Sequence, residues 1–315
     1  MSGIITIGET MAAFTPGANG PLRYVGSFGI RSAGAESNVA VGLAKLDVPA
    51  AWISRVGQDE FGHFLRNAIR AEGVDCSKLI FDPEHRTGVM FKEVSAGGTS
   101  VYYYRENSAA SHLCPDDLKE EWFAEADIVH LSGITPVLSE SCKAMIYRAF
   151  ELAKQHGALV SFDPNIRKKL WKDNDFTPMI REMTLMSDIV LIGLDEAKVL
   201  FGTEDIDSIV ETLRTQGSAK YIAIKDGGNG AWVADVKQCV HVPPYPCNPI
   251  EPIGAGDGFN AGFLAGLIKG KDLVTAGRMG GICGALATQV PGDVEGYPDS
   301  LQMEKALAGL ETIYR

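Results

Sequence analysis

Short apolar runs recur along the chain, and each is followed by a stretch with helical spacing. Ile4-Ile5-Thr6-Ile7, Ala51-Trp52-Ile53 and the runs 127–131, 158–162, 188–192 and 221–224 have the length and β-branched content of strands. They are nearly continuous rather than alternating, which suits strands covered on both faces, as in a parallel sheet. Phe61, Phe64, Leu65, Ala68 and Ile69 fall at i, i+3, i+4, i+7 and i+8, and Cys142, Met145, Ile146 and Ala149 repeat that stripe before Leu152 and Ala153. Strand and helix in alternation predict an α/β fold, a doubly wound and mostly parallel sheet whose ligands bind beyond the carboxyl ends of the strands.

Two stretches break the rhythm. Residues 13–32 and 86–105 carry aromatic and β-branched residues in short alternation with glycine, which predicts a few antiparallel strands outside the main sheet. A complete strand–helix unit separates them, so they are expected to meet as one small β lid on a single domain spanning 1–315. The exposed strand face of that lid is expected to join copies of the chain into a homo-oligomer.

The formal charge is −11, which argues against nucleic acid or an anionic membrane surface as partner. No apolar run approaches the roughly 18 residues needed to cross a bilayer, and the N-terminus lacks a leader pattern, so a cytoplasmic protein is expected. The six cysteines are scattered without metal spacing and read as free structural thiols. Glycine is enriched, 35 in 315 residues against an average of about 7%, and its clusters mark where backbone bends or approaches something closely.

The sharpest cluster is Gly254-Ala255-Gly256-Asp257, where small residues open into a helix carrying Phe259, Phe263 and Leu267. Unpaired N–H groups at a helix start favour an anion, such as a transferring phosphoryl group. Asp257 in the first turn is either a helix-end charge or a chemical group with space cleared before it. Phe259 stands where GxGxxG needs glycine, and 266–272 fails the Walker A spacing; no GxSxG or HExxH occurs. Lys225-Asp226-Gly227-Gly228-Asn229-Gly230 reads as a hairpin turn or a nucleotide-binding loop. At 32–40 another small-residue approach to a helix offers Gly34 for close backbone contact, with Glu36 and Asn38 as polar groups for hydroxyls. Arg105 and Arg167 flank the predicted crevice, as surface charges or as partners for a carboxylate.

These segments resemble the ribokinase-like (PfkB) family of sugar kinases over essentially the whole chain. Gly254-Ala255-Gly256-Asp257 is similar to its C-terminal signature, and 34–40 to its N-terminal sugar-binding stretch. Tyr103-Tyr104-Arg105, His130-Leu131-Ser132-Gly133-Ile134 and Asp163-x-Asn165-x-Arg167 with Leu170-Trp171 are similar to its ketodeoxygluconate branch. The resemblance implies ATP-dependent phosphorylation of the 6-hydroxyl of 2-keto-3-deoxygluconate, with fructose or another sugar acid as alternatives. It implies Asp257 as general base and the backbone N–H groups from Gly254 through Ala255 and Gly256 to Asp257 as an anion hole. It also implies Gly34, Tyr103, Tyr104, Arg105, Asn165, Arg167 and Asp293 as sugar contacts. Lys225, Gly227, Gly228 and Gly230 would line the ATP site, and Glu196 would position Mg2+ through water; a monovalent cation such as K+ stays open.

The chain departs from that pattern in two places: Glu251 stands where the signature commonly has Asp, and Gly193 replaces the Asn of Asn-x-x-Glu. A sugar-binding regulator on the same fold is the alternative of another class, and a nicotinamide oxidoreductase is weakened by the failed fingerprint.

Overall fold

The computed structural model describes residues 3–95 and 98–309. Residues 96–97, within the second expected lid segment, lie outside the described residues.

The apolar runs form strands β1 (Gly3–Ile7), β4 (Ala50–Gly57), β8 (Ala126–Ser132), β9 (Leu159–Asp163), β10 (Ile189–Gly193) and β11 (Tyr221–Lys225). β5 (Leu79–Asp82), β12 (Ala231–Ala234) and β13 (Cys239–Val242) complete a nine-stranded sheet in the order β13-β12-β11-β10-β9-β8-β1-β4-β5. It is parallel from β11 to β5, with β12 and β13 antiparallel at one edge.

The near-continuous runs are explained by burial on both faces. In β10, Ile189 and Leu191 join one core, with the helices Ala35–Lys45, Ala255–Ile268 and Leu273–Ala287, while Val190 and Ile192 join the other, with Glu140–His156 and Ile206–Thr215. Burying such side chains is worth about 1.5–3 kcal/mol each.

The segments outside the rhythm meet in one small sheet of β2 (Met11–Pro16), β3 (Phe28–Ala33), β6 (Val89–Ser95) and β7 (Gly98–Tyr104), ordered β3-β2-β6-β7. The expected antiparallel strands are present, and the two pairs of them join through β2 and β6, which run parallel. Two hairpins, each antiparallel within itself, are joined through the intervening strand and helix. The inner face of this sheet carries Met11, Ala13, Ala33 and Met90, and its outer face an aromatic group of Phe14, Phe28, Phe91 and Tyr104.

The helices Ala255–Ile268 and Leu273–Ala287 lie close because a glycine faces the contact. A Cβ on Gly262 would come within 2.4 Å of the Met279 carbonyl oxygen, whereas one on Gly281, on the neighbouring helix, would meet open space. Gly262→Val is therefore expected to destabilise the fold by about 1–3 kcal/mol through overpacking. Gly281→Ala should stabilise it by about 0.5–1 kcal/mol through helix propensity. Urea midpoints at constant slope check both, and equal shifts of the two variants would contradict the packing argument.

Candidate active site

The carboxyl ends of the strands open onto two adjoining cavities. One, of about 720 Å³, lies under the small sheet and is lined by Gly34, Asn38, Lys92, Tyr103, Arg167 and Asp257 among others. The second, of about 550 Å³, is mostly apolar and is lined by Gly227, Gly228, Gly230, Val242, Tyr245 and Phe259 among others. Lys225, Pro252 and Gly256 belong to both, so the start of the helix Ala255–Ile268 stands at their junction.

That helix start is built for an anion. Gly254 caps it with φ +78°, where a Cβ would strike the Asp293 carbonyl oxygen at 2.1 Å. Tyr297 Oη donates to the Gly254 carbonyl at 2.8 Å and fixes the turn. The Ala255 N–H donates to the Pro252 carbonyl at 3.3 Å, a correction to the expectation that every amide from Gly254 to Asp257 is open. The amides of Gly254, Gly256 and Asp257 have no hydrogen-bond partner among the described residues.

The Asp257 carboxylate accepts a hydrogen bond from Asn38 Nδ2 at 2.8 Å. Burial pushes its pKa up to about 7 and the negative charges of Asp163 and Asp293 add to that, against the hydrogen bond from Asn38 and the positive charge of Arg167. A carboxylate that titrates near neutrality is well matched to accepting a hydroxyl proton.

A second buried group ties two strand ends to the same helix. Lys225 Nζ, at the end of β11, contacts Asp163 Oδ2 at the end of β9 at 2.8 Å and Asn260 Oδ1 at 3.2 Å. Asn260 Nδ2 donates to the same Asp163 oxygen at 2.6 Å. Burial opposes ionisation of Asp163, but the adjacent Lys225 ammonium and the Asn260 amide hold its pKa below the usual carboxylate range. Glu196 accepts from the Ile166 N–H at 2.7 Å and the Gly193 N–H at 2.8 Å, and burial with the nearby Asp163 charge raises its pKa. Among the described residues no group of three or more His, Cys, Asp or Glu is arranged to hold a metal ion. A cage made of protein alone is therefore absent from them, and a divalent ion here would lean on a ligand's phosphates, as Mg2+ commonly does.

The expected residues do not all reach the cavities. Gly34, Asn38, Tyr103, Arg105, Asn165, Arg167, Asp257 and Asp293 line the first, and the loop 225–230 is at once a β-hairpin turn and part of the second cavity's wall. Glu36 is a correction: it is fully buried behind the wall, accepting hydrogen bonds from Ser132 Oγ and Thr135 Oγ1, and it does not line the cavity. Tyr104 is another, because strand parity turns it to the outer face of the lid against Phe91, 66% exposed. Arg105 lines the cavity but is ion-paired with Glu9, whereas Arg167 is exposed and its guanidinium makes no hydrogen bond or ion pair among the described residues. His130 is buried in β8 beside Ser161 with its pKa pushed down by burial to about 4, so it stays neutral and structural.

The sequence pattern of the pfkB family carbohydrate kinases matches residues 1–300. The chain belongs to that family. It is a sugar kinase, 34% identical over 315 residues to the 2-dehydro-3-deoxygluconokinase of Bacillus subtilis, covering 99% of this chain and 97% of that one. It is also 29% identical over 312 residues to fructokinase-1 of Zea mays, covering 95% of this chain and 96% of that one. An E. coli structure solved in complex with ATP and Mg2+ superposes with a TM-score of 0.90 at 26% identity, covering 98% of this chain and 100% of that one. ATP and Mg2+ are thus bound in a kinase homologous to this one. No helix of the described residues is long and apolar enough to cross a membrane.

Reasoning from sequence missed Glu9, Lys92, Asn260 and Tyr297. Glu9 had a signal, since it follows the first strand at the end of the sheet where ligands bind. Tyr297 and Lys92 had none, because their partners lie far off in sequence.

Two outcomes follow for this kinase. Asp257→Asn should retain the fold and ligand binding but lose roughly 10²–10⁴-fold in turnover. In the wild type, kcat/KM should rise with pH through about 7, because below that value the carboxyl already carries a proton and is too weak a base to take the hydroxyl's. A pH–rate series on both proteins checks this; a variant keeping half the turnover would remove Asp257 from the role. Lys225→Met leaves the buried Asp163 without its cation, a loss of about 3–5 kcal/mol for a broken buried pair. Adding Asp163→Asn should recover about 1 kcal/mol or more, read as coupling in denaturant melts, and strict additivity would contradict the pairing.

Proposed function

We propose that this kinase transfers the γ-phosphoryl group of ATP to the 6-hydroxyl of 2-keto-3-deoxygluconate, giving 2-keto-3-deoxy-6-phosphogluconate and ADP. ATP would occupy the apolar cavity, its base among Val242, Tyr245 and Phe259 and its phosphates running past Lys225 toward Gly256. The sugar would lie in the neighbouring cavity beneath the lid, against Gly34, Asn38, Tyr103, Asn165 and Asp293. The hydroxyl oxygen then forms its bond to the γ-phosphorus as the bond to the β,γ-bridging oxygen breaks. The hydroxyl proton passes to Asp257, and the open amides of Gly254, Gly256 and Asp257 stabilise the charge on the transferring group. Magnesium bound to the phosphates would neutralise part of their charge, with Glu196 placed to reach it through water.

The choice of an acid over a neutral sugar rests on Arg167. Its guanidinium borders the sugar cavity with no protein carboxylate bound to it, so it is available to a ligand carboxylate as a charge-assisted partner. The likeness to the Bacillus subtilis 2-dehydro-3-deoxygluconokinase supports the same reading. Fructose is the second candidate, supported by the likeness to fructokinase-1 and by Arg105, whose charge is already spent on Glu9.

Coupled ADP release across fructose and keto sugar acids is the deciding experiment. The acid should be the better substrate, and Arg167→Ala should lower its kcat/KM at least roughly tenfold while changing fructose little, as expected for a charged hydrogen bond of about 1.5–3 kcal/mol. Arg105→Ala should instead impair both substrates alike, since it strands the buried Glu9 carboxylate. Preference for fructose by the wild type, or an equal loss of both substrates in Arg167→Ala, would move the assignment to fructokinase.

A further inference from the structure

Lys92 is a buried cation on the inner face of the lid, the face that also carries Arg31 on the neighbouring hairpin. It follows Met90 by two residues in β6, so strand parity turns it toward the sugar cavity, and its side chain is only 4% exposed. An ammonium so buried is unfavourable without partners. Two carboxylates from the far end of the chain supply them: Asp293 Oδ1 at 3.2 Å and Glu251 Oε1 at 3.5 Å.

Asp293 is linked onward to the reacting centre. The two hydrogens of Asn38 Nδ2 are divided between Asp293 Oδ2 at 3.5 Å and Asp257 Oδ2 at 2.8 Å. A line of contacts therefore runs from the lid ammonium through Asp293 and Asn38 to the carboxylate at the helix start. Lys92 is the only cation in an ion pair with Asp293 among the described residues.

We propose that Lys92 is a positioning residue for phosphoryl transfer: carried in by the lid, it holds Asp293 in place, and Asp293 with Asn38 sets the Asp257 carboxylate for the hydroxyl proton. The inference rests on Asp257 as the base. Its physical content is a coupling between lid and base. With the lid in place the base has an oriented amide on one oxygen and a compensated neighbour; with the ammonium withdrawn, Asp293 becomes either an unpaired anion or a protonated acid, and either change loosens Asn38.

The electrostatic setting fixes the direction of the test. The groups facing Asp257 are Asp163, Asp293, Arg167, Lys225 and Tyr297, and those around Asp293 are Lys92, Glu251 and Glu295, the last paired with Arg31. Removing only the Lys92 charge leaves this set more negative, so protons bind more tightly to the Asp257–Asp293 pair.

The experiment is the pH profile of kcat and kcat/KM at saturating ATP, using the sugar that the wild type phosphorylates fastest, so that the outcome is independent of which sugar that is. Lys92→Met is expected to lower kcat at least tenfold and to move the acid limb up by roughly 0.5–1 pH unit. Lys92→Arg, which keeps the charge, is expected to return the limb to its wild-type position. A melting curve establishes that each variant is folded, and Lys92→Gln carries the test should the methionine variant not fold. A raised KM with kcat and the limb unchanged would make Lys92 a lid latch alone and overturn the proposal. So would a limb that moves equally in the Met and Arg variants. Asp257→Asn assayed in parallel separates the two ideas: if it keeps both turnover and limb, the base assignment fails first and the positioning role falls with it.

Discussion

Acids buried at the carboxyl ends of the strands are what the rest of this structure answers to. Glu9, Asp163 and Asp293 are each withdrawn from water, and each is met by one cation from a distant segment: Arg105, Lys225 and Lys92. Breaking such a pair strands a charge in low dielectric, so the pairs fix where the segments sit even where they add little net stability. Asp257, like Glu36 and Glu196, has no such cation: no ion pair reaches it among the described residues, and burial prevails over the helix N-terminus that would otherwise favour its charged form. The same low dielectric that demands partners for the other acids thus leaves one carboxylate poised near neutrality.

Most of the architecture was legible because it depends on local pattern. The run 188–192 announces a strand covered on both faces, and Gly254-Ala255-Gly256-Asp257 announces a helix opened toward a ligand. The lid's two segments were recognisable by their break from the rhythm, but not the parallel joining of β2 and β6, which depends on how the intervening strand and helix carry the chain across. Parity was also hidden: Tyr102-Tyr103-Tyr104 is aromatic throughout, so nothing local says that Tyr103 faces the cavity and Tyr104 the outside.

Glu36 shows the converse difficulty. At the start of a helix, beside glycine and asparagine, it looks as available to a ligand as Asn38 does two residues later. The helix turn separates them, and Ser132 and Thr135 claim Glu36 from a strand end almost a hundred residues away. The pair Lys92 and Asp293 is 201 residues apart in sequence, and no window-based reading joins them. What sequence leaves unseen in this site is mainly which charge answers which.

The parallel junction of β2 and β6 bears on the order in which the molecule assembles. The two hairpins are separated in sequence by the helix Ala35–Lys45, β4, the helix Glu60–Ala71 and β5, so their junction closes a long stretch of chain. Pairings that span so much chain require a large loop to close and tend to form late. Parting the sheet at that seam would break the β2–β6 ladder and the Phe14–Phe91 stack while leaving both hairpin ladders and the hydrogen bonds of the nine-stranded core in place. Local opening at such a seam would be a far smaller event than global unfolding, resisted chiefly by the ion pairs Lys92–Asp293, Arg105–Glu9 and Arg31–Glu295.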